Sequence, residues 1–153
     1  MNESKMKSSD PRIEGKPLRV LVIEDNNDDS DLLVRQLQRN NFEGSVKVVP
    51  DGQAAWDLLN SDIPRQDLIA IFLDLKLPKL SGLKLLARIR DDAKLCTIPV
   101  FVMTSSNDPK DLEECKRLGV EGYIPKPVTF TTFSKAVADL FHTPIIKSYV
   151  RVE

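Results

Sequence analysis

The sequence contains only one histidine, His142, and two cysteines, Cys96 and Cys115. A single imidazole leaves almost no room for a histidine-based catalytic triad or for a metal site built from several histidines. Two cysteines without a CxxC pattern are too few for a disulfide framework, so we interpret them as reduced thiols. Any chemistry of this chain must therefore come from other side chains.

The sequence also lacks an excess of charge and a long apolar run. Its formal net charge is −1 and its pI is about 5.9, which gives no sign of a surface for nucleic acid. No apolar stretch approaches the roughly 18 residues needed to cross a bilayer. Residues 1–16 lack the apolar centre of a signal peptide. We therefore expect a cytoplasmic protein that binds neither nucleic acid nor a membrane.

The composition divides the chain into one folded domain and two flanking segments. Residues 1–16 are rich in Lys, Ser, Asp and Glu and predict a flexible arm, because such a segment buries little apolar surface. Residues 17–142 are long enough for a single domain with a sizeable core. Residues 143–153 form a tail with weak alternation, which predicts either disorder or a strand added to a partner.

Within the domain, apolar runs alternate with amphipathic segments. The predicted strands cover residues 18–23, 46–49, 69–74, 98–103 and 122–124, and a predicted helix follows each of them. Such alternation implies an α/β fold in which a parallel sheet carries helices on both faces. The last helix is placed at about 129–141, with an apolar face made of Phe130, Phe133, Val137, Leu140 and Phe141.

The apolar run at 69–74 ends on one carboxylate, Asp74. An apolar run of this kind is typical of a strand in a parallel sheet whose two faces are both buried. Asp74 then lies at the carboxyl end of the strand, on the edge where open parallel sheets bind their ligands. Taken alone, this aspartate has a second interpretation as a cap for the loop or helix that follows.

Polar residues follow four of the predicted strands: Glu24 and Asp25, Asp74, Thr104 and Lys126. Because the carboxyl ends of parallel strands share one edge, we expect these side chains to meet. Three carboxylates in one pocket need a cation, and an all-oxygen site suits a hard ion such as Mg²⁺. A carboxylate in such a site can act as a nucleophile toward phosphorus. The ammonium and the hydroxyl can then hold the phosphoryl oxygens.

With these polar residues at the strand ends in this order, the chain resembles the receiver domain of two-component response regulators over roughly residues 17–142. The residues that carry the resemblance are Val20-Leu21-Val22-Ile23-Glu24-Asp25, Asp51-Gly52, Leu73 to Pro78 with Ser81-Gly82, Ile98-Pro99-Val100 through Thr104, and Gly119-Val120 through Tyr123 to Lys126-Pro127. The resemblance implies a flavodoxin-like, doubly wound, five-stranded parallel sheet in the order 2-1-3-4-5 with five helices.

The resemblance also implies a phosphoprotein with a magnesium site. Asp74 is expected to be the phosphoacceptor. Asp25 and Asp74 are expected to bind Mg²⁺ directly, while Glu24 acts mainly through water. The backbone carbonyl of Lys76 is expected to complete the ligands that the protein provides.

Further roles follow for the phosphoryl group and the switch. Thr104 and Lys126 are expected to bind the phosphoryl group, and the bond between Lys126 and Pro127 is expected to be cis. Tyr123 is assigned as the switch aromatic, which moves inward as Thr104 shifts toward the phosphate; the alternative is a half-buried strand aromatic without that role. The side chain of Lys76 lies at a variable rim position and is predicted to alter the lifetime of the phosphoryl group.

The function that the resemblance implies is that of a single-domain response regulator in a two-component system or phosphorelay. A sensor histidine kinase or a histidine phosphotransfer protein is expected to donate the phosphoryl group near the first helix. A downstream protein then binds the phosphorylated form. The chain catalyses only its own phosphorylation and dephosphorylation, so we do not class it as a turnover enzyme. The oligomeric state is left open, a homodimer included, and His142 is interpreted as an incidental residue and not a phosphodonor.

Two other functions remain as alternatives. An aspartyl-nucleophile phosphatase also uses a strand-end aspartate with Mg²⁺, but its DxD pattern requires an acid where this chain has Lys76. No insertion for a cap domain is evident either. An unphosphorylated receiver-like adaptor would have no use for the acids, Thr104 and Lys126.

Overall fold

The computed structural model describes residues 18–42, 44–61, 67–105 and 108–138 of the chain. The predicted arm at 1–16, the predicted tail at 143–153 and His142 lie outside the described residues. Within the described ranges, no helix combines the length and the apolar character that crossing a bilayer requires.

Five parallel strands form the sheet in the order β2-β1-β3-β4-β5, and a helix follows each strand. The strands are β1 (Leu18–Ile23), β2 (Ser45–Val49), β3 (Ala70–Asp74), β4 (Val100–Thr104) and β5 (Gly122–Pro125). The helices are α1 (Asn27–Arg39), α2 (Gly52–Leu59), α3 (Gly82–Asp91), α4 (Pro109–Arg117) and α5 (Phe130–Ala136). This confirms the α/β architecture that the alternation predicts and the strand order that the resemblance implies. It places β3 at the centre, so that its carboxyl end is flanked by those of β1 and β4.

Alternate residues of the strands form two apolar layers, one on each face of the sheet. One layer packs Val20 and Val22 of β1 against α1 and α5, including the buried ring of Phe133. The other packs Leu21 and Ile23 against α2, α3 and α4. All five residues of β3 are buried, as the apolar run predicts. Because helices cover both faces, the carboxyl edge is where the sheet presents polar side chains.

Two glycines bring helix N-termini against the loop that follows β3. A Cβ atom on Gly82 would lie 2.3 Å from the backbone oxygen of Asp74, and a Cβ atom on Gly52 would lie 2.0 Å from the backbone oxygen of Leu80. No side chain fits at such distances, so these two positions require glycine. The start of α3 is therefore packed directly on the backbone of Asp74, which fixes the strand end that carries the carboxylate.

Arg90, near the end of α3, joins three segments through backbone carbonyl groups. Its guanidinium donates hydrogen bonds of 2.8 and 3.0 Å to Leu118 and Gly119 after α4, and of 3.1 and 3.0 Å to Cys96 and Ile98 before β4. Since only arginine offers five donors in a planar fork, this one side chain can satisfy carbonyls in several directions at once. It ties the turn between α4 and β5 to the body of the domain.

Some predicted boundaries and faces are wrong in detail. The strand predicted at 98–103 begins at Val100, because the amide of Ile98 donates to Leu95 in a turn. Phe130 was predicted to lie on the apolar face of the last helix, but it is 40% exposed. It is the first residue after the N-cap, where the helix has not yet turned toward the sheet, and the guanidinium of Arg39 lies 4.3 Å from the centre of its ring. Phe133 is buried as predicted, and residues 139–141 lie outside the described ranges.

Candidate functional site

The carboxyl ends of four neighbouring strands bring polar side chains together. Glu24 follows β1, Asp74 ends β3, Thr104 ends β4 and Lys126 follows β5. Glu24, Asp74 and Thr104 are all buried, with at most 6% of their surfaces exposed. Buried polar groups are retained only where they find partners, so their convergence indicates a built site and not a solvated edge.

The three acids predicted as metal ligands form one cluster. Glu24, Asp25 and Asp74 each offer a carboxylate oxygen, and these oxygens lie within 4.8 Å of one another. Glu24 and Asp74 are buried, whereas Asp25 is exposed and lies at the mouth of the cluster. Burial raises the pKa of Glu24 from 4.5 to about 7, and the neighbouring charge of Asp74 adds to the rise. An all-oxygen cluster whose negative charge is unfavourable by itself fits a hard divalent cation.

The ammonium of Lys126 lies among three carboxylates. Its Nζ atom is 2.8 Å from Glu24, 3.0 Å from Asp74 and 3.1 Å from Asp29. The Glu24 contact is close without the alignment of a hydrogen bond, so it is an ion pair. Desolvation alone lowers the pKa of Lys126, but the bonds to these carboxylates outweigh it and raise the pKa above its usual value. Lys126 is therefore a fixed positive charge at the centre of the site.

The backbone around Lys126 has the predicted conformation. The peptide bond between Lys126 and Pro127 is cis, as the resemblance implies. The amide of Lys126 donates a 3.1 Å hydrogen bond to the backbone oxygen of Thr104, which joins the ends of β4 and β5. The two residues predicted to bind a phosphoryl group are therefore held by neighbouring backbones.

Asp74 is oriented by contacts to both of its carboxylate oxygens. Oδ2 lies 3.0 Å from the ammonium of Lys126, and Oδ1 accepts a 3.1 Å hydrogen bond from the backbone amide of Lys76. The residue Lys76 is exposed, so its side chain lies at the rim, as the sequence predicts. Ser81 caps α3, so Asp74 is not the cap of that helix, but its bond from the Lys76 amide does make it a cap of the loop that follows β3.

Tyr123 lies on the outward side of the site in this conformation. It is 37% exposed, and its hydroxyl donates a 3.1 Å hydrogen bond to the backbone oxygen of Leu112 on α4. A cavity of about 570 Å³ lies between α4 and β5, and both Thr104 and Tyr123 line it, with Pro109, Leu112 and Lys116. The predicted switch pair therefore borders a common space.

Asp29 is a member of the site that the sequence analysis did not single out. Its backbone amide donates a hydrogen bond to the side chain of Asn26, the N-cap residue of α1. Its carboxylate nevertheless contacts Lys126. The available signal was its position in the first turn of α1, because a helix that starts directly after a strand end keeps its first turn at the same edge of the sheet.

Comparisons with known proteins agree with this architecture. A family model described as the response regulator receiver domain matches residues 20–138, which include every residue of the candidate site. The chain is 33% identical over 130 residues to the probable methanogenesis regulatory protein FilR2 of Methanothrix harundinacea, covering 81% of each chain.

Two solved structures give the same result. The bacteriophytochrome response regulator RtBRR matches with a TM-score of 0.70 and 40% identity over 82% of this chain and 77% of that one. The Mn²⁺-bound form of response regulator Rcp1 matches with a TM-score of 0.66 and 28% identity over 82% and 93%.

Proposed function

Because the chain belongs to the response regulator receiver family, we propose that it accepts a phosphoryl group on Asp74 and signals through a protein that binds its phosphorylated form. The observation that carries the proposal is the setting of Asp74. This buried carboxylate ends the central strand, 3.0 Å from the ammonium of Lys126 and clustered with Glu24 and Asp25. A carboxylate so placed can attack phosphorus, and its neighbours can balance the charge of the group it receives.

We propose that Glu24, Asp25 and Asp74 hold Mg²⁺, with the backbone carbonyl of Lys76 as a further ligand. Clustered carboxylate oxygens are the donors that a hard divalent ion prefers. When bound, Mg²⁺ offsets the negative charge of the phosphoryl oxygens during transfer. The Mn²⁺-bound form of Rcp1 supports a divalent ion in this fold.

Lys126 and Thr104 are proposed to bind the phosphoryl group once it is on Asp74. The acyl phosphate that forms at Asp74 carries about two negative charges in place of the single charge of the carboxylate, and its oxygens attract the ammonium and a hydroxyl donor. Thr104 is the last residue of β4, the strand next to β3. The residue before it, Met103, pairs with Asp74. Lys126 already contacts Asp74, and Thr104 ends the neighbouring strand, so both residues lie beside the proposed acceptor.

The switch is proposed to run from Thr104 to Tyr123. When Thr104 turns toward the phosphoryl group, Tyr123 gives up its hydrogen bond to Leu112 and enters the cavity between α4 and β5. A ligand that favours one of two conformations shifts their populations in this way. The readout surface is then formed by α4, β5 and α5, and the downstream protein recognises it.

The phosphoryl donor is proposed to be a sensor histidine kinase or a histidine phosphotransfer protein that docks near α1. The chain then catalyses only its own phosphorylation and dephosphorylation, so it is not a turnover enzyme. A cytoplasmic location is part of the proposal, and the free thiols of Cys96 and Cys115 are consistent with a reducing compartment.

The experiment is to incubate the full chain with acetyl phosphate and Mg²⁺ and to measure its intact mass. The expected result is an adduct of one phosphoryl group, about 80 Da, that requires Mg²⁺. The variant Asp74→Asn should form no adduct, whereas Asp28→Asn, which changes an exposed acid on α1, should form it like the wild type.

Two other outcomes would contradict the proposal and identify the alternatives. Continuous release of phosphate without a stable adduct would indicate an aspartyl-nucleophile phosphatase. No mass change under any condition, for a protein whose folded state is verified by circular dichroism, would indicate an unphosphorylated adaptor.

A further inference from the structure

Asp29 contacts the same ammonium as two of the proposed metal ligands, but it is not in their cluster. Lys126 Nζ lies 2.8 Å from Glu24, 3.0 Å from Asp74 and 3.1 Å from Asp29. Glu24 and Asp74 belong with Asp25 to the group whose oxygens can reach one ion, and Asp29 does not. Among the described acids that hold Lys126, Asp29 is therefore the one that a metal ion leaves available.

The position of Asp29 is fixed by the start of α1. Its amide donates a 3.0 Å hydrogen bond to the side-chain oxygen of Asn26, the N-cap residue. Only 24% of the Asp29 side chain and 14% of the Lys126 side chain are exposed. Solvent therefore screens this pair less than it screens a surface ion pair, and the contact does not depend on a loose loop.

We propose that Asp29 is a positioning residue that draws the Lys126 ammonium toward α1 and thereby sets how tightly the acid cluster binds a divalent ion. This inference rests on the proposed function, since it requires the metal site. A divalent ion and the ammonium are both cations, so they compete for Glu24 and Asp74. Without Asp29 the ammonium has only those two acids as partners, and the ion must displace it from them. The loss of one negative charge near the cluster weakens ion binding in the same direction.

The test is a titration of the full chain with MgCl₂ alone, followed by NMR through the backbone amide of Lys76, which bonds to Asp74. Asp29→Asn should weaken Mg²⁺ binding about fivefold, the size expected for a partly shielded ion pair. Asp28→Asn is the matched control, since Asp28 is an exposed acid in the same helical turn. It should weaken binding by less than about twofold, because solvent screens its charge.

A double-mutant cycle with Lys126→Met separates positioning from simple charge. Interacting residues give non-additive effects, whereas independent ones add. We expect the effect of Asp29→Asn on Mg²⁺ affinity to become smaller when Lys126 is replaced, leaving only the part that the loss of one negative charge causes by itself. Asp29→Glu should keep more of the wild-type affinity for Mg²⁺ than Asp29→Asn does, because it keeps a carboxylate partner for the ammonium.

The outcomes separate this inference from the proposed function. The inference would be overturned if Asp29→Asn changed the Mg²⁺ affinity equally with and without Lys126. It would also be overturned if Asp29→Asn changed that affinity no more than Asp28→Asn does. Either result would leave the phosphoacceptor assignment of Asp74 intact. A wild-type protein with no saturable response to Mg²⁺ would overturn the proposed metal site and the inference together. Thermal melts of each variant verify that the compared proteins are folded.

Discussion

Glu24 is a buried acid whose ionisation opposes folding when no divalent ion is bound. It is 1% exposed, and its burial, with the charge of Asp74, raises its pKa from 4.5 to about 7 against the opposing contacts of Lys126 and Asn26. A rise of that size corresponds to about 3 kcal/mol between the two protonation states. Glu24→Gln keeps the shape of the side chain and removes the ionisation, so the variant should avoid this penalty.

The sign of the effect follows from proton binding. Between about pH 4.5 and pH 7 the folded protein holds a proton on Glu24 that the unfolded chain has lost. The contribution of Glu24 to the free energy of unfolding is therefore fully present below about pH 4.5 and is lost as the pH rises through about 7. We expect Glu24→Gln to be more stable than the wild type by about 3 kcal/mol at pH 8 and nearly equal to it at about pH 4. Lys126 keeps Asp74 and Asp29 as partners in the variant.

The assay is urea unfolding in EDTA across this pH range. Asp25→Asn is the matched control, since it removes the exposed acid of the same cluster and should change the free energy of unfolding by less than about 0.5 kcal/mol. Saturating Mg²⁺ should stabilise the wild type more than Glu24→Gln at pH 8, because the ion compensates the charged carboxylate. A Glu24→Gln variant that is less stable than the wild type at pH 8, or pH profiles that run parallel, would refute the reasoning.

Three further predictions concern the framework and the rim of the site. Gly82→Ala should lower the free energy of unfolding in urea by about 3 kcal/mol, because the added Cβ would press on the backbone of Asp74. Gly119→Ala is the control: its Cβ meets open space but its φ is 76°, so it should lower the free energy of unfolding by about 1 kcal/mol. Equal losses for the two variants would contradict this reasoning. Arg90→Lys should lower the free energy of unfolding by about 2 kcal/mol, because it loses hydrogen bonds to several carbonyl groups. The control Arg88→Lys, which changes an exposed arginine of the same helix, should lower it by less than about 0.5 kcal/mol. Equal losses for the two variants would contradict the role assigned to Arg90. Lys76→Asn should shorten the half-life of the phosphorylated form about threefold, because it removes an exposed cation from the rim of the site. Equal dephosphorylation rates for the variant and the wild type would contradict this role of Lys76.

The parts of the site that follow a strand could be predicted from sequence. Glu24, Asp74, Thr104 and Lys126 each stand directly at a strand end. In a parallel sheet the strand ends share one edge, and the strand order that the resemblance implies makes these four strands neighbours. The buried strand β3 could be predicted equally well, since its four consecutive apolar residues run directly into an acid.

The remaining contacts depend on distances that no pattern in the sequence encodes. Asp29 meets Lys126 because of the spacing between α1 and β5, and Arg90 reaches four carbonyls because of the way two loops pack on α3. Phe130 has the right helical period but stands at the first position of α5, where the helix has not turned inward. Periodicity reports which face of a helix is apolar, and it does not report where the helix meets the sheet.

The central claim is that Asp74 carries the phosphoryl group, and the most direct measurement is to locate the modified residue. The full chain is phosphorylated with acetyl phosphate and Mg²⁺, reduced with borohydride, which converts an acyl phosphate to an alcohol, and digested for peptide mass spectrometry. The account predicts reduction at position 74 only, and its loss when Mg²⁺ is removed. Reduction at another acid, or at none while phosphate is bound elsewhere, would contradict it.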